Sequence, residues 1–217
     1  MIQTSVAIVI PAYNEAKTIA GVVSGARNLG DVIVVDDCSH DNTLMLASRA
    51  GADVIQLGRN SGYESALNAG IAKAFASGYE FVITMDADGQ HLPESARCLL
   101  ATLGNADIAI GLRQRKQRIV EWVAGWIGSL LWRVPDPFCG LKLYRSSSCK
   151  ALAPFDRYNL VGAELFVRAK CAGLKIVTIH IKTPQRQDVP RFDTNWRANL
   201  RLAKACILLT AIHLKML

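Results

Sequence analysis

The 217-residue sequence lacks the marks of several protein classes. Its six cysteines form no C-x-x-C pair and are too sparse for a disulfide-stapled secreted domain, so we expect reduced thiols. No apolar run approaches the ~20 residues that cross a bilayer. Sixteen glycines and seven prolines without a repeat exclude a collagen-like chain, and a hydrophobic fraction of 51% excludes a disordered one. What is left is a chain that folds around a core.

The first residues also lack the basic flank, apolar stretch and cleavage site of a signal peptide. We therefore expect the protein to stay in the cytoplasm. A mean hydropathy of +0.20 is high for a freely soluble protein. Contact with the inner face of the membrane, as a peripheral protein, is therefore part of the prediction.

Charge is divided unevenly between the two halves. Residues 1–110 carry 6 basic and 12 acidic side chains, a net charge of −6, whereas residues 111–217 carry 19 and 6, a net charge of +13. An acidic half suits a divalent cation, and a basic half suits phosphates or anionic lipid. The alternative is that ordinary surface charge has segregated. We expect no nucleic-acid partner.

Short runs rich in valine and isoleucine alternate with helical stretches through the first half. The predicted strands are 5–10, 31–35, 52–57, 80–85 and 107–110. The predicted helices are 16–28, 41–50, 62–77 and 93–103. This order predicts an α/β fold with a mainly parallel sheet, in which ligands lie at the carboxyl ends of the strands.

The second half is less regular. Further strands are predicted at 140–144 and 175–181, and further helices at 119–131, 163–172 and 195–214. We predict a domain over residues 1–194 and a C-terminal amphipathic helix over 195–217. The apolar stripe of 119–131 and the tryptophans Trp122, Trp126 and Trp132 suit a helix in a lipid headgroup region, as does the C-terminal helix. Ordinary core faces are the alternative for both.

Polar residues follow the first two predicted strands. They are Pro11-Ala12-Tyr13-Asn14-Glu15 and Asp36-Asp37-Cys38-Ser39-His40-Asp41. An aspartate there can accept hydrogen bonds from a base or ribose, and Tyr13 offers a stacking face. The alternative is that Asn14, Ser39 and Asp41 only cap helices.

The segment Met85-Asp86-Ala87-Asp88-Gly89-Gln90-His91 follows the fourth predicted strand. In an extended chain Asp86, Asp88 and Gln90 would face the same way and offer three oxygen ligands. Such ligands suit Mg²⁺ or Mn²⁺ with a bound diphosphate. A solvated turn is the alternative.

In order, these segments resemble the family 2 glycosyltransferases of GT-A fold, and particularly the dolichyl- and polyprenyl-phosphate sugar synthases. The resemblance runs from Val6 to about Ile181 and includes Asn60-x-Gly62, Ile110-Gly111-x-Arg113 and Asp136-x-x-Cys139-Gly140-x-Lys142. It implies a Rossmann-like mixed sheet flanked by helices. It also implies an inverting transfer of a sugar from a nucleotide-diphosphate sugar to an acceptor.

The resemblance further implies a role for individual residues. The nucleotide sugar would be bound by Pro11, Tyr13, Glu15, Asp37, Asp86 and Arg191. The metal would be coordinated by Asp86, Asp88 and Gln90. The acceptor phosphate would be bound by Arg113, Arg118 and Lys142, and the catalytic residues would be Asp136, Asp86 and Arg113.

Two departures and three rival functions stay open. Tyr63-Glu64 stands where many relatives have Lys-Gly, and residues 183–195 contain no Gly-x-Ser-Lys segment. A phosphate acceptor is already anionic, whereas a hydroxyl acceptor, on a saccharide or lipid, would need Asp136 or another carboxylate as a base. A nucleotidyltransferase is more remote, because Pro11 to Lys17 contains no glycine. The third rival is a catalytically dead binding module.

Overall fold

A computed structural model describes residues 5–114, 119–155, 157–158, 160, 162–184 and 196–216, without the side chains of 196–198. Seven strands lie in one sheet. They are β1 (Val6–Ala12), β2 (Asp31–Asp36), β3 (Asp53–Gln56), β4 (Phe81–Thr84), β5 (Ile108–Arg113), β6 (Lys142–Arg145) and β7 (Ile176–Ile181). Their order is β3-β2-β1-β4-β6-β5-β7, and only β6 runs antiparallel to its neighbours among these strands. The predicted mainly parallel α/β sheet is confirmed.

Helices cover both faces of this sheet. They are α1 (Ile19–Ala26), α2 (Thr43–Arg49), α3 (Tyr63–Ala76), α4 (Pro93–Leu103), α5 (Ile119–Trp132), α6 (Ser146–Cys149), α7 (Glu164–Cys171) and α8 (Trp196–Met216). The sequence did not predict α6 or the 3₁₀ turn Lys150–Leu152 that follows it. Both are too short to show a helical period.

The core has two layers because successive side chains of a strand point to opposite faces. In β1, Ala7 and Val9 pack with α3, α5, α7 and α8, whereas Ile8 and Ile10 pack with α1, α2 and α4. Every residue of β1 is buried. A strand that is covered on both faces reads as a continuous apolar run, which is why its sequence shows no alternation.

Most of the apolar stripe predicted for 119–131 does not face the core. Small residues, Ala124, Gly125 and Gly128, pack inward, and Ile127 and Leu131 of the stripe are partly buried against the core. The rest of the stripe points to solvent, with Trp122 64% and Trp126 70% exposed. The core-face alternative is therefore wrong for these side chains.

For Trp132 the prediction is wrong in the opposite direction. It was grouped with the headgroup-facing tryptophans, yet it is only 1% exposed. Its ring meets Phe166 and His213 edge to face, at centroid distances of 5.8 and 6.2 Å. It is the last residue of α5, two residues after the exposed Leu130, and it points to the core side of the helix.

Helix α8 packs against α5 and α7. Leu202, Ala205 and Leu209 are buried in the same core as α3. Leu200 and Ile207, one heptad apart, are 59% and 70% exposed. The C-terminal helix is therefore a core element with a second, exposed apolar row. Within the described part of the chain, every helix is too short or too polar to span a bilayer.

Gly70 lets α3 lie close to the sheet. A Cβ atom built there would stand 2.3 Å from Cγ1 of Val9 and 3.0 Å from Cγ2 of Val35. Both contacts are with core side chains of β1 and β2, which have little room to move. The short distance between α3 and the sheet matters for the site, because α3 begins at the ends of the strands.

We expect Gly70→Ala to destabilise the fold relative to Gly21→Ala. Gly21 lies in α1, and a Cβ there meets nothing within 4 Å. Both changes gain about 1 kcal/mol of helix propensity, but overpacking at Gly70 costs about 1–3 kcal/mol. Urea unfolding measures the difference between the two variants. Equal stabilities would contradict the close packing.

Candidate active site

The loops after β1 and β2 are joined by hydrogen bonds. The Asn14 N–H donates to Oγ of Ser39 at 2.8 Å, and the His40 N–H donates to Oδ1 of Asn14 at 2.8 Å. Asn14 adopts a positive φ of 52° to make this exchange. The Glu15 N–H donates to Oγ1 of Thr43 at 2.7 Å. Asn14 and Ser39 therefore bridge two loops, which the capping alternative did not foresee.

Of the residues predicted to hold the nucleotide sugar, Pro11 lies in the last part of β1, and Tyr13 and Glu15 lie on the loop that follows. Pro11 is buried, whereas Tyr13 and Glu15 are partly exposed. The Tyr13 ring stands edge-on to His40 at a centroid distance of 6.3 Å. The carbonyl of Glu15 accepts from the Ile19 N–H at 2.9 Å and so starts α1. Tyr13 keeps a face available for a base.

Asp37 is 3% exposed and acts on the backbone of the loop before α3. Its Oδ1 accepts from the Ser61 N–H at 2.7 Å, and its Oδ2 accepts from the Gly62 N–H at 2.8 Å. Asp36 is fully buried, and its Oδ1 has no hydrogen-bond partner within the described part of the chain. Asp37 thus fixes the start of α3 at the edge where the predicted nucleotide would lie.

Asp86 is held at both its backbone and its side chain. The Tyr63 hydroxyl donates to Oδ1 of Asp86 at 3.0 Å. The Asp86 N–H donates to Nδ1 of His91 at 3.1 Å. Because Nδ1 accepts, it carries no proton, and its 3.7 Å approach to Oδ2 is not an ion pair. His91 is therefore a support for Asp86 and not a cation beside it.

Residues 86–91 form a turn and not the extended segment predicted from their spacing. Ala87 is buried, Gly89 adopts a φ of 78°, and the Gln90 N–H donates to Oδ1 of Asp88 at 3.0 Å. The extended conformation that would have pointed the side chains of Asp86, Asp88 and Gln90 the same way is therefore absent. The two carboxylates are still at one strand end, because a tight turn follows β4.

Gly140 lies against the Asp86 carboxylate. A Cβ atom at this glycine would stand 2.3 and 2.4 Å from the two carboxylate oxygens. The Thr84 hydroxyl donates to the Gly140 carbonyl at 2.7 Å and fixes the close approach. Any side chain at residue 140 would displace Asp86.

Arg113 and Asp136 form a bidentate ion pair. Nε and Nη2 of Arg113 each donate to one oxygen of Asp136 at 2.8 Å, and the Arg113 backbone N–H adds a third bond at 3.2 Å. Asp136 is 3% exposed. Burial alone would lower the pKa of the Arg113 guanidinium, but its bonds to Asp136 raise that pKa above the ordinary value. The guanidinium therefore stays charged.

Lys142 is 2% exposed, which differs from its predicted place at the acceptor phosphate. It lies on β6 between Thr84 of β4 and Ile110 of β5, and its ammonium donates to the Cys139 carbonyl. Burial lowers the pKa of this amine. The side chain lies beneath the site because a strand between two others points its residues into the layers on either side.

Arg118 and Arg191 lie outside the described residues, as do Arg115 and Lys116. The segment 185–195, where the resemblance predicted a different loop, lies outside them as well. Their predicted roles at the acceptor phosphate and the donor stay predictions.

Sequence reasoning missed Tyr63, Glu64 and His91 as parts of the site. His91 was noted only for its position beside the metal segment. Tyr63-Glu64 was noted as an unexplained departure from the family pattern, and that departure was the available signal. Glu64 is 2% exposed, and both of its oxygens accept from Nη2 of Arg201, at 2.6 and 2.7 Å.

The residues at the end of β4 fit a hard divalent ion. The Asp86 side chain is 30% exposed and Asp88 is partly exposed, so both carboxylates are accessible. Residues 5–114, 119–155 and the later described segments hold no group of three His, Cys, Asp or Glu side chains suited to a metal. Two carboxylates leave coordination positions for water and phosphate, as Mg²⁺ sites commonly do.

The chain matches the sequence family described as "Glycosyl transferase family 2" over residues 7–150. The protein belongs to this family and is a glycosyltransferase. The predicted family and GT-A fold are confirmed.

Curated relatives extend the similarity. An undecaprenyl-phosphate mannosyltransferase of Micrococcus luteus is 30% identical over 203 residues, which cover 82% of this chain and 83% of that protein. A UDP-N-acetylglucosamine–dolichyl-phosphate N-acetylglucosaminyltransferase of Methanococcus voltae is 27% identical and covers 81% and 84%. Both names specify a lipid-phosphate acceptor for those proteins.

The fold is also that of a solved enzyme. Glucosyl-3-phosphoglycerate synthase of Mycobacterium tuberculosis, crystallised with Mn²⁺, UDP and glucosyl-3-phosphoglycerate, superposes with a TM-score of 0.77. The match covers 96% of this chain and 81% of that one at 20% identity. This likeness establishes the fold alone.

We expect Gly140→Ala to lower the affinity for Mn²⁺ in the presence of UDP by at least about tenfold, because the new methyl group displaces Asp86. Isothermal titration measures the affinity. Gly21→Ala is the matched control, since it adds the same group where nothing lies within 4 Å. Unchanged Mn²⁺ affinity in Gly140→Ala would exclude Asp86 as a ligand.

Proposed function

We propose that the protein is an inverting, metal-dependent glycosyltransferase that moves a sugar from a nucleotide-diphosphate sugar to a polyprenyl phosphate at the cytoplasmic membrane face. The observation that carries the choice of acceptor is the pairing of Asp136 with Arg113. The two curated relatives with lipid-phosphate acceptors in their names support the same class.

In this proposal the donor lies across the ends of β1, β2 and β4. Tyr13 stacks on the base, Asp37 holds the loop that borders the nucleoside, and Asp86 and Asp88 would hold Mg²⁺ or Mn²⁺ with Gln90 nearby. A divalent ion bound there would supply neutralising charge for the departing nucleoside diphosphate. The chain's own contribution is to keep Asp86 oriented through Tyr63, His91 and Gly140.

The ion pair between Asp136 and Arg113 supports a phosphate acceptor over a hydroxyl acceptor. A hydroxyl must lose a proton as it attacks, and the sequence pointed to Asp136 or another carboxylate as the base. Both oxygens of Asp136 accept from Arg113 at 2.8 Å. Because both oxygens are held by the guanidinium, the carboxylate is not placed to take a proton from an attacking hydroxyl, whereas a phosphate monoester is anionic and needs no base. In this proposal an oxygen of the acceptor phosphate attacks the anomeric carbon of the sugar, while the bond from that carbon to the nucleoside diphosphate breaks.

Arg113 itself can still meet the acceptor. Nε and Nη2 each donate a hydrogen bond to Asp136, while Nη1 lies 4.0 Å from Oε1 of Glu121. The guanidinium carries five donors, so others remain for a phosphate oxygen. In the proposal Asp136 orients Arg113, and Arg113 contacts the acceptor phosphate. Lys142 is buried beneath the site and does not touch the acceptor in this proposal.

The exposed stripe of α5 supports a membrane surface as the place of the reaction. Ile119, Trp122, Trp126 and Leu130 are 85%, 64%, 70% and 69% exposed. Tryptophan at this density on a helix face is typical of headgroup regions. The stripe begins six residues after Arg113, so a lipid phosphate held by Arg113 would come from the side where α5 begins.

We expect transfer to a polyprenyl phosphate but not to the polyprenol of the same chain length. A panel of UDP-, GDP- and dTDP-sugars with Mn²⁺ first identifies the donor, since ligand at about 100 times Kd raises the free energy of unfolding by about 2.7 kcal/mol. Product is then detected with the radiolabelled donor. Nuclear magnetic resonance of the product tests for an inverted anomeric centre.

A matched pair of variants tests the metal in the same assay. Asp88→Asn should abolish turnover, whereas Asp53→Asn should not, because Asp53 is an exposed residue of β3 that pairs with Lys73 at 3.8 Å. Equal transfer to polyprenol, or full turnover in excess chelator, would contradict the proposal.

We expect the protein to float with anionic vesicles and Trp122→Ser/Trp126→Ser to lose most of that binding. Insertion of apolar side chains resists salt, whereas electrostatic attachment is screened over about 8 Å at physiological salt. Flotation at low and high salt separates the two contributions. Met45→Ser is the control, since Met45 is 37% exposed on α2, which packs on the opposite face of the sheet. Wild-type protein that stays unbound at low salt would overturn the membrane location.

A further inference from the structure

The first turn of α3 contacts two distant parts of the chain through adjacent residues. The Tyr63 hydroxyl donates to Oδ1 of Asp86 at 3.0 Å. Glu64, the next residue, pairs with Arg201 of α8, which is 137 residues away in sequence. Consecutive helical side chains point about 100° apart, so one turn can serve both partners. The turn therefore stands between α8 and Asp86.

The Glu64 contact is a buried one. The Glu64 side chain is 3% exposed and that of Arg201 is 40% exposed, so the carboxylate lies inside and the guanidinium reaches it from the surface. A buried carboxylate without a cationic partner is strongly unfavourable and would draw toward water. Loss of Arg201 would therefore shift Glu64, and Tyr63 is bonded to it directly.

The Tyr63 contact is suited to hold a metal ligand in place. The Tyr63 hydroxyl is the donor in this bond, because a carboxylate oxygen accepts. It bonds to Oδ1, and both carboxylate oxygens of Asp86 lie beside Gly140. Residues that orient a ligand in this way commonly change metal affinity 10–100-fold.

We propose that Tyr63 is a positioning residue for Asp86 and that the Glu64–Arg201 ion pair holds it in place, so that the C-terminal helix takes part in forming the metal–nucleotide site. This inference rests on the proposed metal site at Asp86. Asp37 holds the backbone just before the same turn through Ser61 and Gly62, so the turn is anchored there as well as through Glu64.

The test measures Mn²⁺ binding by electron paramagnetic resonance, with UDP or GDP present, and thermal unfolding without metal. Tyr63→Phe and Arg201→Gln should each weaken Mn²⁺ binding about tenfold. Tyr63→Phe should leave the unfolding temperature nearly unchanged. The double variant should bind little worse than either single variant, because both act through one turn. Lys204→Gln is the control, as Lys204 is exposed on α8 one turn from Arg201.

If Arg201→Gln does not fold, Glu64→Leu/Arg201→Leu removes the pair without leaving a buried charge, and the same tenfold loss is expected. Tyr63→Phe with wild-type Mn²⁺ affinity would overturn the inference and leave the proposed function intact. A loss in Tyr63→Phe alone, with the Arg201 variants unchanged, would overturn the part played by α8. Wild-type protein that binds no Mn²⁺ with either nucleotide would overturn the metal site and this inference together.

Discussion

The antiparallel direction of β6 is the constraint on which the candidate site depends. Because β6 runs against β4 and β5, the segment that precedes it lies at their carboxyl ends. Lys142 pairs with Thr84, the last residue of β4, so Gly140 comes to rest on Asp86. The acidic first half of the chain and the basic second half meet there. A parallel strand in the same place would have carried Gly140 to the opposite edge.

Charges in this region are matched before any substrate binds. Arg113 neutralises Asp136 through two bonds at 2.8 Å, and Lys142 lies buried with its pKa lowered by desolvation. Buried ionic groups are tolerated when partners satisfy them, and their removal leaves an unpaired charge. Asp86 differs, because its side chain is 30% exposed and its partners are a phenol and a glycine. It is the carboxylate of this group that remains able to accept a cation.

The two amphipathic helices contribute to both the core and the surface. Helix α5 buries its small residues and exposes Trp122 and Trp126, whereas α8 buries Leu202, Ala205 and Leu209 and exposes Leu200 and Ile207. Small residues let α5 approach the core closely, so the large side chains of its outer face are left outside. The sequence could not show this arrangement, because hydrophobic periodicity identifies the apolar face of a helix but not which part of the protein, if any, packs against that face.

The sequence by itself determined the α/β order, the strand ends that carry Tyr13, Asp37 and Asp86, and the family, because hydrophobic periods and turn residues are local and the motifs follow one order. Tertiary structure alone decided which side chains face one another. Tyr63 lies 23 residues from Asp86 and Glu64 lies 137 from Arg201, and no local pattern relates residues so far apart. Trp132 was misplaced and the burial of Lys142 was not foreseen for the same reason, since burial depends on the elements that pack over a residue.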